Sequence, residues 1–562
     1  MSLPARLIWC TLGAISIGFH MWLIFSGLIP NLVSRPLHMA LAAPWALVFI
    51  ARGRAARISG AVLAPAAVAG CLYIAANQSA LGDQYGFLSG TFQHVVAIGL
   101  LLIVFEMARR SIGWPLPLIA LLALAYGLWG QHIPGEFGHP GLPAASFLGT
   151  LTITEGGLWG KLAGVSVNIV AIFVIFVIFG AVLNAGEAGQ GFMNLATAAA
   201  GRMRGGAAKV SVLSSALFGS ISGSASANVA STGAITLPAM ARLGYPRALA
   251  GAVEAVASSG GQIMPPLMGA GAFVMVELTG TPYTQIMAAA LLPALLYFIT
   301  VWIGIDAFAM RHDLSGIRPE DRPPLRAVLV TSAFFLVPFG VLLWFMFAAG
   351  FTPQYAASVS ILTGALLLLI DGRLRCSVER VLARAEMVCL TAGHQIATIA
   401  SIILCASIVI GVLGLTGLGV KITSLIISGS GGMLWPALLL TALACLVLGM
   451  EVPTTTAYVI CVAVAGPALQ KFGLPLLIVH LFVFWYALLS TITPPVCGTV
   501  FIAAGMVGEN WLKVAVRSMA LGIGLYLVPL GMIASPALIG LASDPWAALA
   551  AFVKTGAGLA AV

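Results

Sequence analysis

The stretch Gly219-Ser-Ile-Ser-Gly-Ser-Ala-Ser-Ala-Asn228 decides how this chain folds. It sits in an apolar, small-residue segment, Val210 to Ala241, with Arg202, Arg204 and Lys209 before it and Arg242 and Arg247 after it. Lys and Arg mark the cytoplasmic side of a bilayer, so both ends of the segment belong on that side. About 30 residues are too few for two crossings, which need roughly 20 each. The segment is therefore expected to enter and turn back as a re-entrant hairpin. Its Gly-Ser centre turns tightly and exposes carbonyls.

Around this hairpin the solvent must be lipid. The 562 residues are 60% apolar and only 8% charged, with a mean hydropathy of +1.07, a composition that does not dissolve as a globular fold. Apolar stretches of about 16 to 25 residues recur from Arg6 to the C-terminus. The first, Leu7 to Ile29, is long enough to span and ends without a small-residue cleavage site, so it reads as a retained helix. The net charge of +9 comes from basic residues in short loops, where they set orientation and do not point to nucleic acid. Eight scattered cysteines without a CxxC indicate neither a disulfide framework nor a zinc site.

The Lys/Arg bias gives a map. Arg6 lies inside, the loop from Asn31 to Pro36 outside, Arg52 to Arg57 inside, Gln78 to Gln93 outside, and Arg109 with Arg110 inside. That makes four spans with a cytoplasmic N-terminus. A fifth, near Pro115 to Trp129, leads to a long outer loop from Gln131 to Lys161, and Val165 to Leu183 returns. After the hairpin, Ala248 to Leu278 is too long for a plain helix and is interrupted by Ser258-Ser-Gly-Gly-Gln-Ile-Met-Pro-Pro266, where paired Gly and Pro should unwind it at mid-membrane. Leu291 to Ala307 closes this half. Ala327 to Ala349 and Ala356 to Leu369 separate it from the next.

From Leu390 the plan recurs: a span to about Leu415, a hairpin around Gly449-Met-Glu-Val-Pro-Thr-Thr-Thr-Ala-Tyr458, a long span broken at Ser490-Thr-Ile-Thr-Pro-Pro495, and a last span from Met519 to Ile533. Ser222 precedes Pro265 by about 43 residues and Pro453 precedes Pro494 by about 41, as a true repeat requires. By helix count the loop near Lys471 and Pro475 faces the opposite side, so the repeats are inverted. Small residues in membrane helices commonly serve packing, and a lone Pro-Pro is commonly a kink. Two such pairs at matched positions argue instead for a midplane site, where unwound carbonyls and hydroxyls replace an ion's water and helix N-termini attract an anion. The fold class is thus an all-α polytopic membrane protein with two inverted repeats. The absence of a P-loop, an HExxH or paired acids argues against an ATPase and against a membrane-embedded enzyme.

The stretches Leu217 to Val229, Gly251-Ala-Val-Glu-Ala-Val-Ala-Ser-Ser-Gly-Gly-Gln-Ile-Met-Pro-Pro266, Gly449 to Tyr458 and Thr491-Ile-Thr-Pro-Pro-Val496 resemble the membrane component of the tripartite ATP-independent periplasmic (TRAP) transporters. Within them the chain resembles the fused permeases of the TAXI type. The resemblance implies an elevator-type symporter importing a small carboxylate solute, Na+ as coupling ion, and a periplasmic TAXI-type binding protein as partner. It implies a bacterial inner-membrane location and these parts: 1–111 a four-helix small-subunit-like bundle, 112–131 a fusion linker, 132–307 and 387–537 the two repeats, 308–386 scaffold helices between them, and 538–562 a C-terminal tail. The first sodium site would use Ser222, Ser224 and Asn228 with Gly260, Gln262 and Pro265. The mirror site would use Pro453, Thr454 and Thr455 with Thr491, Thr493 and Pro494. Neutral oxygens suffice for sodium. The solute would lie between the hairpin tips, at Ser222, Ser224, Ser226, Thr454 and Thr456. A stand-alone anion symporter of the same hairpin plan is the other reading.

Position 451 holds Glu where the resemblance leads one to expect a small residue. With Glu254 it places an acid at membrane depth, where a charge costs roughly 2.5 to 3.5 kcal/mol and marks a functional candidate, here for coupling to H+. His394 and His480 also lie within spans. Trp159 and Trp511 are expected as interface anchors, and Glu136, His139 and Pro140 as part of an outer docking loop.

Overall fold

The computed structural model describes residues 3–26, 29–159, 167–266, 268–450 and 454–561, so the candidates Glu451 and Pro453 lie outside the described residues. Among these residues every regular element is a helix. Seven helices are long and apolar enough to cross a bilayer, or nine if each of two bent pairs is one span. With the composition above, this is a multi-pass membrane protein. The chain divides into two compact units: residues 1–181, 385–437 and 462–468, and residues 182–384, 438–461 and 469–562.

The first unit begins with four long apolar helices, Leu3–Phe25, Asn31–Phe49, Arg54–Ala76 and Gly90–Ile112. Small residues seat them on the helix that starts at Val378. A Cβ on Gly13 would come within 2.4 Å of the Cys389 carbonyl oxygen, and one on Gly393 within 2.3 Å of the Trp45 ring, the close approach that drives helix association in lipid. Beside them Arg6 Nε donates to Glu386 Oε1 at 2.6 Å. Pro115–Trp129 is only 15 residues, short of the roughly 20 needed to cross. Two helices were not anticipated: Ala144–Thr152 within the outer loop, and Leu418–Gly429.

Several expectations in this unit are corrected. Asn31 to Pro36 is not a loop but the start of the second helix. Arg35, within that stretch, is buried, its guanidinium donating to the Trp159 carbonyl and standing 3.8 Å from the Glu155 carboxylate. Trp159 is fully buried and donates from Nε1 to the Thr152 carbonyl at 2.6 Å; with its N–H satisfied by backbone it needs no interface. His139 is buried too, Nε2 bonded to the Tyr126 carbonyl at 2.9 Å and Nδ1 accepting from the Gly141 N–H at 3.1 Å. It braces the loop from within, while Glu136 and Pro140 are exposed. His394 stands on the long helix, its ring 6.1 Å from Phe49.

The second unit holds the hairpin, broken helix and closing helix of the first repeat: α1 (Gly206–Ser222), α2 (Ala225–Arg242), α3 (Arg247–Gly260), α4 (Gly269–Thr279) and α5 (Tyr283–Arg311). The hairpin α1–α2 turns in two residues. Gly223 adopts φ +61°, which ends α1, and Ser224 Oγ accepts from the Ala227 N–H and caps α2. Between α3 and α4 a 3-10 turn, Gly261–Ile263, leads into the prolines, which have no N–H to continue a helix.

The second repeat runs α6 (Leu434–Leu448), α7 (Thr454–Lys471), α8 (Leu476–Leu489), α9 (Gly498–Val507) and α10 (Trp511–Leu521). Its break at Ser490 to Cys497 matches the first, and both Pro-Pro bonds, 265–266 and 494–495, are cis. Two expectations fail here. Lys209 is not a loop marker: it lies buried in α1, its ammonium 2.5 Å from Asp306 and over the Trp302 ring. Nor is there one span from Met519 to Ile533. The closing helix begins at Trp511 and gives way at Gly522 to a 3-10 turn, Ile523–Tyr526, because Gly ends the helix and its neighbours tighten into i→i+3 bonds.

Candidate ion and solute site

The hairpins and breaks approach one another closely, at a glycine in each case. A Cβ on Gly219 in α1 would fall 2.3 Å from Gly261 Cα at the first break, and one on Gly449, at the end of α6, 2.4 Å from Ser490 Oγ at the second. Each hairpin thus rests on the break of its own repeat, a contact only glycine permits.

Asn228 locks the first of these contacts. It is fully buried, its Nδ2 donating to the Ser215 carbonyl at 2.9 Å and the Ser258 carbonyl at 3.2 Å. Its amide therefore ties α2 to α1 and α3. Gln262 does the same between repeats: Nε2 donates to the Gly223 carbonyl in the first hairpin turn at 2.9 Å, and Oε1 accepts from Thr454 Oγ1, at the start of α7, at 2.7 Å. Below it Ser259 Oγ is 2.9 Å from Thr491 Oγ1 and 3.3 Å from Thr499 Oγ1. The cluster thus consists of two neutral hydrogen-bonded sets: one around Gln262 joins the first break to both hairpin ends, and one around Ser259 joins the end of α3 to the second break.

The other expected residues fall around it. Ser222 Oγ points to the Ser224 carbonyl at 3.4 Å, Ser224 is the cap already described, and Ser226 is exposed at the turn. Gly260 is buried, a Cβ there falling 2.3 Å from the Tyr297 ring, and Pro265 is half-buried. Thr491 Oγ1 also donates to the Leu488 carbonyl at 2.7 Å, and Thr493 to the Leu489 carbonyl at 2.7 Å beside the Tyr526 hydroxyl. Thr455 is half-buried. Thr456 is fully buried, its hydroxyl without a hydrogen-bond partner among the described residues. His480 lies apart from the cluster, paired through Nδ1 with the Tyr458 hydroxyl at 2.7 Å.

Glu254 is fully buried in α3 behind the first break. Thr232 and Ser258 reach Oε1 at 2.5 and 3.2 Å, and Ser211 and Thr236 reach Oε2 at 2.7 and 2.5 Å. Apart from Glu254 itself, these residues were not anticipated. Their signal was present: 211 and 215, 228, 232 and 236, and 254 and 258 recur at four-residue spacing, one polar stripe on each of three apolar helices.

Chemically the cluster offers hydroxyls, side-chain amides and turn carbonyls at helix ends. Such groups stand in for the water of a small cation and, at helix N-termini, favour an anion. Among the described residues no three His, Cys, Asp or Glu converge as a transition-metal site would need.

Comparison with known proteins agrees with this arrangement. Residues 100–547 match the family described as "Tripartite ATP-independent periplasmic transporter, DctM component". The C4-dicarboxylate TRAP transporter large permease protein DctM of Pseudomonas aeruginosa is 25% identical over 377 residues, 66% of this chain and 85% of the relative. The ectoine/5-hydroxyectoine TRAP transporter large permease protein UehC of Ruegeria pomeroyi is 24% identical over 253 residues, 45% of this chain and 58% of the relative. The isethionate TRAP transporter permease protein DctMQ of Oleidesulfovibrio alaskensis is 35% identical over 91 residues, 16% of this chain and 14% of the relative. With the match running through both hairpins and both breaks, the chain belongs to the DctM-component, or large permease, family of TRAP transporters, a family of secondary-transporter permeases and not of enzymes.

Proposed function

We propose that this chain is the membrane permease of a binding-protein-dependent, sodium-coupled symporter that imports a small organic acid. The two hairpins and two broken helices would move together as an elevator. The observation that carries this reading is Gln262, whose amide joins the first hairpin turn to Thr454 of the second repeat; a body tied across both repeats is what a joint movement needs. Sodium, as cargo, would take Ser222, Asn228, Gly260, Gln262 and Pro265 on one side and Pro453, Thr455, Thr491 and Thr493 on the other. The solute would meet Ser222, Ser224, Ser226, Thr454 and Thr456. The unpartnered Thr456 hydroxyl supports this, since a buried hydroxyl without a partner costs about 1–3 kcal/mol unless a ligand satisfies it. A C4-dicarboxylate relative supports a carboxylate as solute.

The fused, TAXI-type arrangement is supported by the Gly251 to Pro266 motif and by four apolar helices lying almost wholly ahead of the family match, which begins at residue 100. On this reading 1–111 is the small-subunit-like part, 112–131 the linker, 308–386 and the first part scaffold, and 132–307 and 387–537 the inverted repeats. The protein would sit in the bacterial inner membrane with its N-terminus cytoplasmic. The test is uptake into proteoliposomes holding the full chain and its periplasmic binding protein. Ser222→Ala combined with Thr455→Ala should abolish sodium-dependent uptake at normal expression. Retained sodium dependence would sink the site assignment, and uptake unchanged without the binding protein would favour the stand-alone anion symporter.

A further inference from the structure

The hydroxyl nest around Glu254 adjoins the neutral-oxygen cluster through Asn228, and its chemistry is different. The carboxyl is fully buried, and its four O–H neighbours come from three helices: Ser211 on α1, Thr232 and Thr236 on α2, and Ser258 on α3 itself. Gly233 leaves room for it, a Cβ there falling 3.2 Å from Glu254 Cγ.

Among the described residues no cation pairs with the carboxyl. Lys209 on α1 is paired with Asp306 of α5. Tyr297 on α5 donates to the Val256 carbonyl, and Tyr283 to the Pro266 carbonyl. On α8, His480 is held by Tyr458 and Tyr486 donates to the Tyr526 carbonyl. On α10, Arg517 lies over the Phe308 ring and Lys513 pairs with Glu509. Arg242, Arg247 and Arg311 stand at helix termini, and α9 carries no titratable group.

The nest is built to hold either protonation state. When Glu254 is ionised, four hydroxyls donate to it and offset the cost of a buried charge. When it is protonated, one hydroxyl must become an acceptor, and two of them have a second place for their own proton. Thr232 Oγ1 is also 2.8 Å from the Asn228 carbonyl, and Thr236 Oγ1 is 3.0 Å from the Thr232 carbonyl. A carboxyl proton on Oε2 is then accepted by Thr236 Oγ1, whose hydrogen turns to the Thr232 carbonyl, and no buried donor is orphaned. The proton comes from water, and the site gains one positive charge.

We propose that Glu254 is a proton-exchange site, and that protonation turns the charge-assisted bonds between the α2 threonines and α3 into weaker neutral ones and so loosens the first hairpin against its break. This rests only on the chain's being a secondary transporter and is independent of sodium, because Glu254 touches none of the residues assigned to sodium.

The test uses the full-length protein in sodium-free liposomes without solute. Infrared difference spectra between acidic and alkaline pH should show the carbonyl stretch of a buried carboxylic acid, lost in Glu254→Gln. In Thr236→Val, which removes one donor to the ionised form, the midpoint should move to higher pH; this arm stands even if Glu254→Gln does not fold. Amide hydrogen exchange over 206–242, corrected for its intrinsic pH dependence, should rise several-fold on protonation in the wild type and not in Glu254→Gln. A wild type without a titrating band, or a band that survives Glu254→Gln, overturns the proton site. Exchange that ignores the titration overturns its link to the hairpin. Since neither sodium nor solute is present, failure of the sodium-site assignment leaves these outcomes untouched.

Discussion

The two repeats pass through the same elements in the same order but bury opposite chemistry. Gly219 and Gly449 occupy the same place 230 positions apart, and Gly261 and Ser490 do so 229 apart. In that register Ser215, Asn228 and Thr232 of the first hairpin give way to Cys445, Tyr458 and Val462 of the second, and Glu254 and Ser258 to Val483 and Ala487. One repeat surrounds a carboxylate with hydroxyls. The other packs apolar side chains around a Tyr458–His480 bond. The difference teaches that hairpin and break do not depend on what fills the space behind them. They depend on the turn and the glycine contact, which leaves the interior free to carry a function in one repeat only.

Five substitutions probe that comparison. The largest effect is expected from Val483→Glu, which puts a carboxylate where no hydroxyl nest awaits it; an uncompensated buried charge should cost about 4 kcal/mol. Thermal unfolding in detergent reads it, and a tolerated acid there would mean that the second repeat is not the apolar counterpart described. Next is Gly219→Ala, where the new methyl meets the Gly261 backbone and neither side can retreat, at about 3 kcal/mol. Gly449→Ala meets the side chain of Ser490 and should cost about 1 kcal/mol, recovered by Ser490→Gly. Equal losses at the two glycines would remove the distinction. Gln262→Ala breaks the two bonds that join the repeats, about 2 kcal/mol together, and should slow uptake more than it lowers the melting temperature; a purely thermal effect would deny it a role in joint movement. The smallest change is expected from Tyr458→Phe, about 1 kcal/mol for one buried bond, with uptake unaltered. Loss of uptake there would give the second repeat a polar function that its composition does not suggest.

Much of the architecture was legible because its punctuation is local. A Pro-Pro pair has no N–H to continue a helix, and Gly-Ser runs turn wherever they stand, so the breaks near Pro265 and Pro494 and the turn at Gly223 could be placed from neighbours in sequence alone. The candidate site was legible in part for the same reason, since Gln262, Thr454 and Thr491 flank those breaks. Arg35, Lys209, His139 and Trp159 were misjudged because a hydropathy window assigns a polar or amphipathic residue to the nearest surface. In the structure each is satisfied internally by a carbonyl or a counter-charge. Arg35 finds the carbonyl of a residue 124 positions away, and Lys209 an aspartate 97 away, distances at which no pattern along the chain reports a partner.

The amino-acid sequence by itself determined that this protein lives in lipid and where its helices break, because composition and backbone chemistry act residue by residue. Only the tertiary structure decided that Asn228 is a strut, that Gln262 joins the first hairpin turn to Thr454, and that Glu254 meets four hydroxyls. Those facts depend on which helix faces lie together, and packing between helices sets this, not the chemistry of any one segment.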